Sequence, residues 1–258
     1  MHIYRCDLTL MEATFFSSRE ISNLYQTEPL IGNYALAYAF RFVQSNYHNE
    51  HRVHYREHLG ELNAAGVYVT PATIQGQPQF IMRQFNAQTD AYWSAFGTGF
   101  IAARSRHGWT RKEGTHWYPI EDGERGSRFQ PTNRPQHGRI RMLAIGNRAR
   151  CYVLSEEALE LPHYIRLGKF MSKARVEAAE VAFEVDHVDS QRVPFLLNPA
   201  DIPADMQLQM FDLVNVPPIP LVRNALLSGS FYCIGKNKNE VLPVGMRFNV
   251  DEIVEAGT

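Results

Sequence analysis

Cysteine is scarce in this sequence. The 258 residues include three, Cys6, Cys151 and Cys233, far apart and in no CxxC pair. That odd, sparse set argues against a disulfide framework and a paired-cysteine zinc site, and it fits a reducing compartment. Long hydrophobic runs are missing too. No stretch approaches the roughly 20 apolar residues that span a bilayer, and the opening MHIYRCDLTLME has no apolar core of signal-peptide length. A soluble cytoplasmic protein without a membrane partner is expected. Neither sign of charge is in excess: 26 Lys/Arg stand against 27 Asp/Glu, a net charge of −1, so global charge points to no polyanion. HExxH and GxSxG are absent, and scattered Ser, His and Asp define no triad. No repeat of solenoid or propeller period is present.

What is present reads as a globular protein, with 45% hydrophobic residues. In YRCDLTL, Tyr4, Cys6, Leu8 and Leu10 alternate with Arg5, Asp7 and Thr9, the period of a half-buried strand. Leu30, Tyr34, Ala37, Tyr38 and Phe42 recur at helical spacing and predict a helix over residues 31–43. GVYVTPA at 66–72 reads as a short strand stopped by Pro71. GRIRMLAI and RARCYVL read as two strands around a turn at Gly146-Asn147. VEAAEVAFEV alternates again, with Ala179, Val181, Phe183 and Val185 on one side. Residues 193–220 are rich in Pro and polar residues and predict an irregular connection with one short helix. Many strands, few helices and no repeating βα period predict an α+β domain with an antiparallel sheet.

The neutral total conceals an asymmetry. Residues 104–150 carry eleven Arg/Lys against four acids, or +7, which leaves the rest of the chain at −8. The cations are Arg104, Arg106, Arg111, Lys112, Arg125, Arg128, Arg134, Arg139, Arg141, Arg148 and Arg150, and Trp109, Trp117, Tyr118 and Phe129 are interleaved with them. Arg forks grip phosphates at two points, and aromatic faces offer unstacked bases a platform. Gly and Pro up to Gln136 predict an extended loop or hairpin. A basic island on an acidic body is the footprint of a nucleic-acid partner; its plain alternative is a solvated loop whose arginines pair with that body.

Three further patterns are weaker. In LVRNALLSGSFYCIGKNKNE, Gly229 and Gly235 flank Phe231 and Tyr232, and Lys236 follows. Such glycines let backbone N–H groups approach phosphate, although the P-loop GK[ST] ending is missing and a strand with turns at both ends explains the pattern as well. Gly97, Gly99 and Ala102 match dinucleotide-fingerprint spacing, but no buried strand precedes them, which makes the match a chance one. His48, His51, His54 and His58 crowd together without a Cys or carboxylate to complete a metal set, so no metal and no cofactor are expected.

Four stretches carry a family resemblance: FFSSREISNLYQTEPLIGNYALAYA (15–39), YREHLGELNAAGVYVTPA (55–72), PQHGRIRMLAIG (135–146) and PLVRNALLSGSFYCIGKNKNEVLPVGMRF (220–248). Together they resemble the type I-D form of the CRISPR-associated Cas five family over nearly the whole chain. The resemblance implies a single RAMP-like domain over residues 1–258, with an RRM-like (ferredoxin-like) antiparallel core and a basic insertion or thumb at about 104–136. It implies a non-catalytic subunit of a Cascade complex that caps the 5′ handle of the guide RNA. Its partners would be that RNA, a backbone subunit and a large subunit, with target DNA left open. Ser228, Gly229, Ser230, Phe231, Gly235 and Lys236 sit where the family's glycine-rich loop is expected, and the basic island, which matches the family in character only, supplies the other expected RNA contacts: Arg104, Arg106, Trp109, Arg111, Lys112, Arg125, Arg128, Arg134, Arg139 and Arg141. The alternative is a metal-independent endoribonuclease that processes the guide precursor, with His107, His116 or His137 as acid or base.

Overall fold

The computed structural model describes residues 1–21, 24–43, 54–87, 102–105, 108–113, 116–121, 124–125, 136–235 and 240–250. Its first strands are β1 (His2–Leu10), β2 (Arg19–Ile21), β3 (Leu24–Gln26), β4 (Leu30–Ile31), β5 (Val67–Val69), β6 (Ala72–Gln75) and β7 (Phe80–Ala87). Then come β8 (Ala102–Ser105), β9 (Gly108–Glu113), β10 (His116–Glu121), β11 (Glu124–Arg125), β12 (Gln136–Leu143) and β13 (Arg148–Ser155). The last are β14 (Tyr164–Leu167), β15 (Ser172–Glu180), β16 (Phe183–Arg192), β17 (Gln207–Val214), β18 (Leu221–Ile234) and β19 (Glu240–Pro243). Between β4 and β5 lie α1 (Asn33–Ala39) and α2 (Tyr55–Ala64). The chain divides into two compact units: Met1–Glu20, Gln26–Ile81 and Arg141–Thr258 form the first, Ile21–Tyr25 and Met82–Ile140 the second.

In the first unit a seven-stranded sheet runs β14-β15-β1-β13-β6-β4, with β5 also on β13. Strand β1 is central because its alternation has two useful faces: Cys6, Leu8 and Leu10 are buried, while Arg5, Asp7 and Thr9 are half-buried opposite them. It is antiparallel to both neighbours, so Cys6 meets Cys151 on one side and Ala178 on the other. The second sheet of this unit is built on β18, antiparallel to β16, β17 and β19. The antiparallel, strand-dominated α+β organisation expected from the sequence holds at this level.

Several expectations shift. The helix expected over 31–43 is shorter. Leu30 and Ile31 are buried and pair with Thr73 and Ala72, so α1 starts only at Asn33; it stops before Arg41, which takes a left-handed φ of 62°. The alternating run 176–185 is two strands, because Val181 N donates to Ile3 O and the chain then leaves one sheet for the other. The turn at Gly146 is present, with φ +86°, but β12 and β13 do not pair: β12 lies beside β3 and β7, β13 beside β1. The turn is held instead by the end of β1, where Gly146 N donates to Leu10 O and Leu10 N to Asn147 O. The Asn147 amide completes it, accepting from Gln79 N and donating to Gln79 O and Ala144 O. The stretch expected to be irregular contains β17 and a one-turn 3-10 helix, Pro199–Asp201, capped by Asn198.

That turn delivers Asp201 into the core, 2% exposed. Asn33 Nδ2 and Tyr68 Oη donate to its Oδ2 at 2.7 and 3.0 Å, and Asn249 N to its Oδ1 at 3.0 Å. Burial lifts the Asp201 carboxyl to about 6, against those hydrogen bonds, which favour the ionised form. Asn198 is near enough to both Asp201 and Tyr34 to favour their charged forms, yet Asn198 Nδ2 and Tyr34 Oη make no hydrogen bond of ordinary geometry. Asn63 in α2 exchanges two hydrogen bonds with the Phe248 backbone, so the segment after β19 is clasped at two points.

Candidate nucleic-acid interface

The second unit holds an antiparallel meander in the order β11-β10-β9-β8. Where the sequence predicts an extended loop or hairpin up to Gln136, the described residues between 102 and 125 are thus strands of a small sheet. Strands β8, β9 and β11 are described by their backbones, and the register is the informative quantity. Arg104 is opposite Trp109, Trp109 opposite Ile120, and Ile120 opposite Arg125. Two positions along, Ala102 is opposite Arg111 and Arg111 opposite Tyr118. Because strand positions alternate with period two, these rows share a face. Three arginines, a tryptophan and a tyrosine that are scattered over 22 positions of sequence therefore fall on one side of the meander. Lys112, opposite Trp117, has the other parity.

The remaining candidates divide. Arg139, on β12, is exposed. Arg106, Arg128, Arg134 and Lys236 lie outside the described residues, as do Phe129, His48, His51, His107, Gly97 and Gly99. Arg141 stacks its guanidinium 3.6 Å from the centre of the Phe80 ring, a packing use of the charge. Arg150 meets Asp7 at 2.8 Å and Glu240 at 2.6 Å, so for this residue the alternative of pairing with the acidic body is the observed one.

Most of the glycine-rich stretch is strand, and only Gly235 among its described residues lies beyond the end of β18. Ser228, Gly229, Ser230 and Phe231 lie inside β18, with Gly229 opposite Val188 and Phe231 opposite both Asp186 and Pro243. Gly229 has φ +145°, and a Cβ there would lie 2.9 Å from Met206 Cγ and Cε. Phe231 is fully buried. Both residues thus have packing reasons to be what they are. Ser228 and Ser230 are half-buried, with Ser230 Oγ 3.3 Å from His187 Nδ1, and Gly235 is exposed at φ +80° with open space around it.

Of the histidine group, His54 stands at the N-cap position of α2 without a side-chain cap hydrogen bond, and His58 Nδ1 lies 2.8 Å from Tyr38 Oη. Among the described residues no cluster of three or more His, Cys, Asp or Glu is placed to hold a metal ion. Ala102 starts a strand, whereas a dinucleotide fingerprint would open a helix there. Among the described residues no helix is long and apolar enough to cross a membrane.

Sequence reasoning passed over a second basic surface. On the first unit's seven-stranded sheet, register aligns Tyr164, Arg175, Thr9, Arg148 and Gln75 in one row, with Arg166 opposite Lys173 beside it. The alternation in YIRL and SKARVE carries this signal, with Ile165, Leu167, Ala174 and Val176 buried and the residues between them outward. It went unread because the cations come from strands far apart in sequence.

No curated protein matches the chain. Among solved structures, a chain from the "Cryo-EM structure of the Type III-B Cmr-beta bound to cognate target RNA and AMPPnP, state 1" is similar at 10% identity and a TM-score of 0.37, over 87% of this chain and 86% of that one, a likeness too low to carry an argument. The family described as type I-D CRISPR-associated protein Cas5/Csc1 matches residues 1–251. With the match running from the first strand to the clasped segment after the last, this chain belongs to the type I-D CRISPR-associated Cas5/Csc1 family.

Proposed function

We propose that this chain is a non-catalytic RNA-binding subunit of a type I-D CRISPR effector complex. In this reading it grips the 5′ handle of the guide RNA with the meander of the second unit and joins that RNA to a backbone subunit and a large subunit. The observation that carries the reading is the register of the meander, in which Arg104, Trp109, Arg111, Tyr118 and Arg125 share one side. Arginine supplies paired donors to phosphate oxygens; the aromatic residues supply faces for bases that are not stacked on one another. A single-stranded nucleic acid offers both at once, and membership of a CRISPR effector family is what favours RNA as that strand.

The test is to co-purify the chain with the products of its neighbouring genes and sequence the bound nucleic acid. The expected result is RNA of uniform 5′ end, lost when Arg104, Arg106 and Arg111 are reversed in charge together. Recovery of complexes free of RNA, or with fragments of random origin, would overturn the reading. Guide-precursor RNA incubated with the purified chain is expected to stay intact with or without divalent metal. Defined cleavage that disappears in a His107, His116 or His137 alanine variant would replace the scaffold with a nuclease.

A further inference from the structure

The polar face of the seven-stranded sheet has two halves. One is closed: Tyr152 packs against Phe195 with ring centres 4.9 Å apart, and Arg150 is spent on Asp7 and Glu240. The other is open and basic. The row Tyr164, Arg175, Thr9, Arg148 and Gln75 crosses five adjacent strands. At about 4.8 Å per strand it is roughly 19 Å wide. Lys173 lies over the Tyr164 ring, its Nζ 4.1 Å from the centre, and Tyr164 as a residue is 51% exposed.

The charges do not cancel. Arg175 meets Glu177 at 3.3 Å and Arg166 meets Glu12 at 3.5 Å, but all four side chains are about half exposed, where such pairs contribute little and exchange readily for another anion. Among the described residues Arg148 and Lys173 form no ion pair, which leaves the row with unmatched cations beside an accessible aromatic face. Solvent alone explains exposed charge. It does not by itself place an exposed tyrosine within a basic row, with an ammonium 4.1 Å from its ring centre.

We infer that this open half-face is a second binding surface for single-stranded RNA, with a base stacked on Tyr164 and phosphates held by Lys173, Arg175 and Arg148. The inference rests on the RNA-binding reading above and adds a separate contact on the other compact unit. A duplex fits poorly, because its bases are already stacked and offer the tyrosine no face.

The experiment uses the full chain and a fluorescein-labelled single-stranded RNA of mixed sequence, followed by anisotropy over a range of salt. The variant Arg148→Gln, Lys173→Gln, Arg175→Gln is expected to bind at least about tenfold more weakly, and its plot of log affinity against log salt should be shallower by about 2, roughly 0.7 for each lost phosphate contact. Tyr164→Ala should weaken binding several-fold and Tyr164→Phe should not, with melting temperatures of all variants close to the wild-type value, since Tyr164, Arg148 and Arg175 are exposed and Lys173 is only half-buried. If the triple variant and Tyr164→Ala bind like wild type while charge reversal of Arg104, Arg106 and Arg111 abolishes binding, this surface has no RNA role and the broader reading stands. A surface reserved for an acidic protein gives that same result. Double-stranded RNA bound equally tightly through the same residues would overturn the single-strand assignment. A wild-type chain that binds no RNA would overturn both.

Discussion

Asp201 accepts three hydrogen bonds and donates none, which suits a carboxylate, yet it sits where burial disfavours the charge. The folded-state value of about 6 lies above the ordinary 3.8, so the folded chain binds the proton more tightly than the unfolded one. Stability from this group is therefore complete below the unfolded value and is lost as pH rises through the folded one. Urea unfolding at about pH 5 and about pH 7.5 should show the wild type gaining on the order of 1 kcal/mol at the lower pH relative to Asp201→Asn. A difference between the two proteins that does not change with pH would refute this. Asp201→Ala strands the Asn33, Tyr68 and Asn249 donors and is expected to cost about 2–4 kcal/mol. Gly229 is the second residue where packing decides. Gly229→Ala is expected to lower stability by roughly 1–3 kcal/mol, through its backbone φ of +145° and its clash with Met206. Adding Met206→Ala should recover part of that loss, and the folded protein should bind RNA normally; weak binding by stable Gly229→Ala would return the residue to the RNA interface. Nothing in SGSFYCIGK announces Met206, which lies 23 positions upstream, so the sequence alone left both roles of the glycine open.

Among the elements, the meander is the one whose arrangement bears on function. Its register separates residues that are neighbours in sequence: Arg111 shares a row with Tyr118, Lys112 a row with Trp117. Trp109→Ala and Arg111→Gln are thus expected to weaken RNA binding by roughly tenfold, on the scale of one stacked base, and Lys112→Gln distinctly less. Equal losses at Arg111 and Lys112 would mean that charge counts and the sheet does not. Arg150→Ala should show the opposite profile, with RNA affinity unchanged and stability reduced by about 1–3 kcal/mol, because half-buried Asp7 and Glu240 lose a shared partner. Denaturant midpoint and anisotropy on one sample separate the two outcomes. The strand β1 was legible because alternation is a local property, and so was the turn at Gly146. The separation of β12 from β13 was not legible. It depends on Leu10 and Gln79, which reach the turn from distant parts of the chain. The basic island was visible as charge density, but its division between a shared row and a packing role for Arg141 and Arg150 required the register.

For the whole molecule, the near-zero net charge is the least informative number about it, since +7 and −8 are held in different stretches. If the island neutralises about five phosphates, log affinity should fall against log salt with a slope near −3.5, and a salt-independent affinity would exclude an electrostatic grip. The placement of β1 has a different kind of consequence, one of timing. This strand is made long before its partners on either side, residues 148–155 and 174–180. Until the ribosome has released most of the chain, Ile3, Cys6, Leu8 and Leu10 belong to a strand with both edges unpaired. Pairings so distant in sequence close large loops before they return any contact energy, which places folding toward the slow, millisecond-to-second end of the range. Pulsed hydrogen exchange during refolding should find the β1 amides protected late, together with those of β13 and β15, and nascent chains arrested before residue 174 should be held by chaperones through their N-terminal segment.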